Sequence, residues 1–297
     1  MATVIGFISE KGGTGKTTTC YHVATALSYY HKKKVLVLDA DYQRGGITGR
    51  FFPRMIETFN KPNNQKRTLF HHFQELYSAA PKDSSIHIES WEKYGYSVDA
   101  IPADPRLSSV STDKLPSTNN IRENNRALLS HLQIVHNALS PLKPNYDYIL
   151  IDSHPEVSDV LKSVIYASDY CVSPVKLDRQ SSIGVATVIG AISDVNADVS
   201  MIKATMPDEI DFTPTVFSGS IGTMAREYDG ILKETERLEY RKLAQTSSMF
   251  KYYVTEGDGL RQAALNRCPV YDLNFANAHK QSKQYKDVTK ELISTCC

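Results

Sequence analysis

Val4-Ile5-Gly6-Phe7-Ile8-Ser9-Glu10-Lys11-Gly12-Gly13-Thr14-Gly15-Lys16-Thr17-Thr18 carries three signals in one short stretch. The apolar run 4–8 predicts a buried strand. Tyr21 to Leu27 predicts a helix. Between them lies a glycine-rich turn ending in Gly-Lys-Thr, and a strand, such a turn and a helix form a phosphate-binding loop. Glycines let successive backbone N–H groups face one anion, and the helix N-terminus adds a positive dipole. On this reading Gly12, Gly13, Thr14, Gly15, Lys16, Thr17 and Thr18 cradle the nucleotide phosphates. Lys16 reaches the β- and γ-phosphates, and the Thr17 hydroxyl holds Mg²⁺. A dinucleotide-binding turn fits poorly, because Gly13-Thr14-Gly15-Lys16-Thr17-Thr18 lacks the third glycine of that fingerprint.

Outward from the loop, short apolar runs alternate with helical patterns. Strands are predicted at Val35–Leu38, Tyr96–Ile101, Tyr148–Ile151, Tyr170–Val172 and Thr215–Phe217. Helices are predicted at Thr68–Tyr77, Arg122–Leu139, Val157–Ala167, Ile183–Val195, Thr223–Gln245 and Lys280–Ile293. Such alternation specifies an α/β fold: a mostly parallel twisted sheet with helices on both faces. Asn60–Arg67 and Ser108–Asn120 read as surface loops, so residues 1–297 are taken as a single P-loop NTPase domain. In open α/β sheets ligands sit at the carboxyl ends of the strands. Asp39, Asp41 and Asp152 all fall there.

Composition bounds the rest. The 297 residues carry a net charge of +1, so binding to nucleic acid must use a local basic patch, not a global field. Apolar residues make up 41%, enough for a sizeable core. No apolar run reaches membrane-span length, and no signal peptide opens the chain, which predicts a cytoplasmic protein. The five cysteines form no metal-binding pair. Cys20 and Cys171 read as buried thiols, and Cys296-Cys297 as a frayed tail.

Lys11 precedes the glycines, and Glu10 stands where the general P-loop pattern has glycine. The form Lys-Gly-Gly-Thr-Gly-Lys-Thr-Thr resembles the deviant Walker A motif of the ParA/MinD family of ATPases. Asp39-Ala40-Asp41-Tyr42-Gln43 resembles that family's Asp-x-Asp-Pro-Gln first switch, with Tyr42 in place of proline. Asp152-Ser153-His154-Pro155 resembles its Asp-Thr-Pro-Pro second switch, with His154 in place of proline. Ile101–Asp104, Ser168–Val175, Arg261–Ala264 and Pro269–Asp272 are similar in order and spacing. Residues 44–68 look longer than usual.

The resemblance implies an ATP- and Mg²⁺-dependent sandwich homodimer in which Lys11 contacts nucleotide held by the partner. It implies that Asp152 and Asp39 support the metal together with Thr17, and that Asp41 positions the attacking water. Glu256 lies where the family contacts adenine. Non-specific DNA binding, nucleoid association and stimulation by a ParB-like adaptor are implied too, with a plasmid, a chromosome or a protein assembly as cargo. Lys280, Lys283, Lys286 and Lys290 share one face of the last predicted helix and are the candidate DNA contacts. That helix is too polar for a membrane anchor. Other chemistries on the same loop are an iron-sulfur reductase, which needs two bridging cysteines per subunit, and a tyrosine kinase, which needs a tyrosine-rich tail. Neither pattern is present in this sequence. A helix-turn-helix domain ahead of the loop has no room.

Overall fold

A computed structural model describes residues 1–61, 66–78, 80–81, 83–206 and 211–296. The chain runs β1 (Thr3–Phe7), α1 (Lys16–His31), β2 (Val35–Ala40), α2 (Ile47–Phe51), α3 (Met55–Thr58), α4 (Leu69–Ser78), β3 (Glu89–Lys93) and β4 (Tyr96–Ile101). There follow α5 (Ile121–Leu132), α6 (Ile134–Leu139), β5 (Tyr148–Ser153), α7 (Asp159–Ala167), β6 (Tyr170–Lys176) and α8 (Arg179–Thr205). The chain ends with β7 (Val216–Thr223), β8 (Glu227–Tyr228), β9 (Ile231–Leu232), α9 (Glu234–Thr246), α10 (Asp258–Leu265) and α11 (Ala276–Thr295).

Seven strands form one sheet in the order β3-β4-β2-β5-β1-β6-β7, parallel except for β3. The strands β2 and β5 are buried along their whole length, which is why they read as unbroken apolar runs. One face of the sheet packs against α1 and α11, through residues such as Val23, Leu27, Tyr285 and Val288. The other packs against α5 to α8, through Leu132, Val164, Val188 and Val195. This two-sided cover places the carboxyl ends of β1, β2 and β5 together along one edge. The Phe7↔Asp152 and Asp39↔Asp152 register fixes which residues meet there.

Several sequence expectations need correction. The predicted helix Thr223–Gln245 falls across four elements. Thr223 ends β7, β8 and β9 form a hairpin, and only Glu234–Thr246 is helical. The hairpin turns at Asp229-Gly230, both with positive φ, as a tight two-residue connection requires. The predicted helix Arg122–Leu139 breaks at Gln133 into α5 and α6. β3 was not anticipated, because Trp91 is its one buried residue. β6 runs past Pro174 to Lys176, which is tolerated because its pairing with β1 ends at Val172.

The helix α8 is 27 residues, longer than the predicted Ile183–Val195, and its start is fixed by Asp178 Oδ1 accepting from Ser181 N at 2.8 Å. By length and composition it could cross a membrane, contrary to the expectation of no such run. In the fold, Val185, Val188, Ile192, Val195, Val199 and Ile202 are buried within the domain's apolar cores. Cys296 is buried at the end of α11 and is not frayed; Cys297 lies outside the described residues. The loop expectation for 60–67 likewise falls partly outside them, at 62–65.

Candidate functional site

The turn after β1 has the expected shape. Gly13 and Gly15 take φ of 75° and 82°, a region a side chain would strain, and Gly15 caps α1. A Cβ on Gly15 would come into contact with the Thr223 side chain at 3.4 Å. Thr223 Oγ1 donates to the Thr14 carbonyl at 2.5 Å, so the end of β7 braces the turn. Lys11, Gly12 and Gly13 are exposed, whereas Lys16 is buried.

Lys16 Nζ donates to Asp152 Oδ1 at 2.9 Å and to the Ser153 carbonyl. Burial pulls the ammonium down, but the charge and hydrogen bond of Asp152, with Asp41 and Asp39, more than offset it, and its pKa lies above the ordinary lysine value. Asp152 Oδ2 is buried without a partner, as is Thr14 Oγ1. An orphaned carboxylate oxygen beside a phosphate-type turn suits the coordination of Mg²⁺, which usually takes one or two carboxylates plus phosphate oxygens and waters. No group of three or more histidine, cysteine or acidic residues among the described residues would hold a metal by itself.

Asp39 plays a different part. Its Oδ2 accepts from Thr48 N at 2.8 Å and Thr48 Oγ1 at 2.6 Å, and its Oδ1 accepts from Asp41 N at 3.1 Å. Burial, then the adjacent Asp152 charge, pushes its pKa up to about 7. Asp39 therefore organises the loop after β2 from beneath. Residues 44–68, which look longer than usual in the sequence, supply Thr48 for this and carry the helices α2 and α3.

Asp41 and His154 face each other one residue beyond the paired ends of β2 and β5, His154 Nδ1 lying 2.8 Å from Asp41 Oδ1. The Tyr42 ring stacks on the imidazole, with centroids 3.8 Å apart. Sequence reasoning assigned His154 no role.

Two cavities open at this edge. One, of about 280 Å³, is lined by residues 11–18, Asp41, Gln43–Gly46, Pro155 and Met224. The second, of about 260 Å³, is lined by Gly15, Thr18, Arg50, Thr223, Met224, Val254–Gly257, Leu260, Arg261, Ala264 and Tyr285. They share Gly15, Thr18 and Met224, so a molecule with an anionic end and a flat apolar end could span both. Glu256 is at the second cavity, exposed, with a long 3.4 Å contact to Arg261. Arg50 was missed by sequence reasoning: its guanidinium donates to Thr18 Oγ1 at 2.8 Å and lies over the Tyr21 ring. No local motif marks an arginine that reaches the loop from 32 residues away.

The lysines of α11 are largely engaged by this chain's own groups. Lys280 pairs with Glu227, and Lys283 pairs with Asp287 at 2.7 Å. Lys286 sits 4.2 Å over the Tyr30 ring. Lys290 is exposed, and its charge helps lower the His31 pKa, after burial. Cys20, Cys171, Cys268 and Cys296 are all buried, so among the described residues no thiol is offered to a cluster at a subunit surface.

A mostly parallel sheet with this loop, the aspartates at its strand ends and the two joined cavities define a P-loop nucleotide-type site. The family described as AAA domain (AAA_31) matches residues 2–204, and the chain belongs to this family of ParA/MinD-type P-loop proteins. The chain is 25% identical over 193 residues to the sporulation initiation inhibitor protein Soj of Bacillus subtilis, covering 65% of each chain. It is 26% identical over 255 residues to the virulence plasmid ParA family protein pGP5-D of Chlamydia psittaci, covering 84% of this chain and 87% of that one. The match to Soj thus spans just under two thirds of that relative's length. The fold superposes on an ATP complex of a Cyanothece McdA variant with a TM-score of 0.71 at 17% identity, covering 98% of this chain and 96% of that one.

Proposed function

We propose that the protein is a ParA-like partitioning ATPase. The observation that carries this is the pair of joined cavities. One is walled by Lys11–Thr18 and Asp41, with Lys16 held by Asp152, and the other by Val254–Gly257. ATP would place its phosphates in the first and its base in the second. When bound, Mg²⁺ would neutralise charge on the phosphate oxygens, with Thr17 and Asp152 as the residues that hold it and Asp39 behind them. Lys16 would move from Asp152 toward the phosphates, and the loop N–H groups would bind the anion. Asp41 would orient the attacking water. Lys11, exposed at the mouth, would reach the nucleotide of a second subunit.

The nucleotide-bound dimer would bind DNA without sequence preference through Lys280, Lys283, Lys286 and Lys290, and a ParB-like adaptor would stimulate hydrolysis and release. The cargo would be a plasmid or chromosome. The prior engagement of Lys280 and Lys283 with acids favours a second reading, in which the same ATPase cycle acts on a protein assembly.

Binding to a non-specific duplex, measured with ATP, ADP or no nucleotide at two salt concentrations, tests the choice. ATP-selective binding that weakens steeply with salt is expected. Absence of binding in every state would remove DNA from the cycle and leave the protein-cargo reading.

A further inference from the structure

Tyr42 and His154 each stand where the family's switch segments have proline, and in the fold they meet. Their rings stack at 3.8 Å and 24°. The His154 and Asp41 side chains are 3% and 9% exposed. A carboxylate only accepts, so the imidazole presents Nδ1–H to Asp41 Oδ1 at 2.8 Å. Gln43 N donates to the same oxygen at 2.9 Å. Proline at 154 could not donate this bond, and proline at either position would remove this aromatic stack.

We propose that His154 is a positioning residue for Asp41 in ATP hydrolysis, with Tyr42 clamping the ring. Two donors on Oδ1 fix the carboxylate rotamer and leave Oδ2 of this cavity-lining residue for the attacking water. The bond also ties the segment after β2 to the segment after β5, so the two switches carry one geometry between them. This inference rests on the ATPase reading.

The test is steady-state ATP hydrolysis by the full chain, with kcat and KM determined separately. His154→Ala should lower kcat about ten- to a hundredfold, as misplacement of a reacting group does, with KM within about twofold. His154→Asn, whose amide N–H can occupy the place of Nδ1–H, should recover much of the loss. In an Asp41→Ala background His154→Ala should cost nothing further. An unchanged kcat in His154→Ala, or a loss that adds fully to that of Asp41→Ala, would overturn the assignment.

Nitrogen-15 spectra of histidine-labelled protein give a readout independent of turnover and of any folding defect in the alanine variant. His154 should show the Nδ1–H tautomer, lost in Asp41→Ala; an Nε2–H tautomer in both proteins would overturn the contact itself. Failure of the unaltered protein to turn over ATP under any condition would instead overturn the ATPase reading, and the role of His154 with it.

Discussion

The two ends of the proposed nucleotide cavity are built in opposite ways. The phosphate end is centred on one contiguous stretch, Lys11 to Thr18, whose shape comes from glycine φ angles and the start of α1, with Asp41, Gln43–Gly46, Pro155 and Met224 completing its wall. The base end borrows Gly15 and Thr18 from that stretch and adds Arg50, Thr223-Met224, Val254–Gly257, Leu260-Arg261, Ala264 and Tyr285, which come from six further places along the chain. The phosphate end uses backbone N–H groups and one buried cation. The base end uses side chains that other elements push into place. A local site should therefore fail through a single residue, and an assembled one should degrade by degrees.

Lys16→Gln is the sharpest way to break the first half of that contrast. Lys16 is buried and paired with Asp152, so the substitution removes both the cation for the phosphates and the partner of a buried carboxylate. ATP affinity, followed by titration with a fluorescent analogue, is expected to fall at least about a hundredfold, roughly 2.7 kcal/mol. Stability should fall as well, by about 3 kcal/mol, because breaking one side of a buried ion pair leaves its partner uncompensated. Retention of ATP affinity within a few-fold would mean that the backbone nest alone holds the phosphates.

That contrast also explains what could be read without coordinates. The turn at 12–18 and the strand-end residues Asp39, Asp41 and Asp152 were legible, because glycine, lysine and aspartate at fixed offsets from apolar strands state their own geometry. The parallel sheet was legible for a similar reason: β2 and β5 are buried on both faces and so lack any polar alternation. β3 was not, since an edge strand with one buried Trp91 carries no period-2 apolar pattern. Nor was the β8–β9 hairpin, although Asp229-Gly230 is a turn signal, because the charged helix after it extends the apparent pattern backward. Arg50 and His154 gain their roles only from neighbours more than thirty and more than a hundred residues away. The lysine face of α11 was read correctly as a stripe, but its acids, Glu227 and Asp287, became visible as partners only in three dimensions.

Arg50→Ala tests the assembled half. Arg50 joins the two ends: its guanidinium donates to Thr18 Oγ1, and the residue lines the second cavity. Burial lowers its pKa, yet it remains a cation near the place of the proximal phosphates. Nucleotide affinity is expected to weaken about tenfold, the scale of one charge-assisted hydrogen bond. Arg50→Lys should restore part of this charge but not the guanidinium's place over the Tyr21 ring. The same titration reads both variants. A loss as large as that of Lys16→Gln would erase the distinction between the two ends.

His22 supplies the mildest test, because it underlies both ends at once. It is fully buried on α1 and stacks on Tyr285 at 4.6 Å. Val270 N donates to its Nε2 at 3.2 Å, so its Nδ1 carries the proton and donates to the Thr18 carbonyl at 2.8 Å. Both ring nitrogens are therefore spent on the neutral form, and burial, offset in part by the Thr18 bond, lowers its pKa to about 3. A histidine held neutral in the fold binds its proton more readily when unfolded. Its contribution to stability is therefore complete above pH 6.5 and is lost as pH falls from there toward 3. Denaturant unfolding of the unaltered protein and of His22→Gln, compared from pH 7 to 5, isolates the effect from the other histidines. Below pH 6.5 the unaltered protein should lose stability more steeply than the variant, the excess slope approaching about 1.4 kcal/mol per pH unit near pH 5. Equal slopes would show that the Thr18–His22–Val270 bridge is broken in solution, and that the two ends of the cavity are joined by Arg50 rather than through α1.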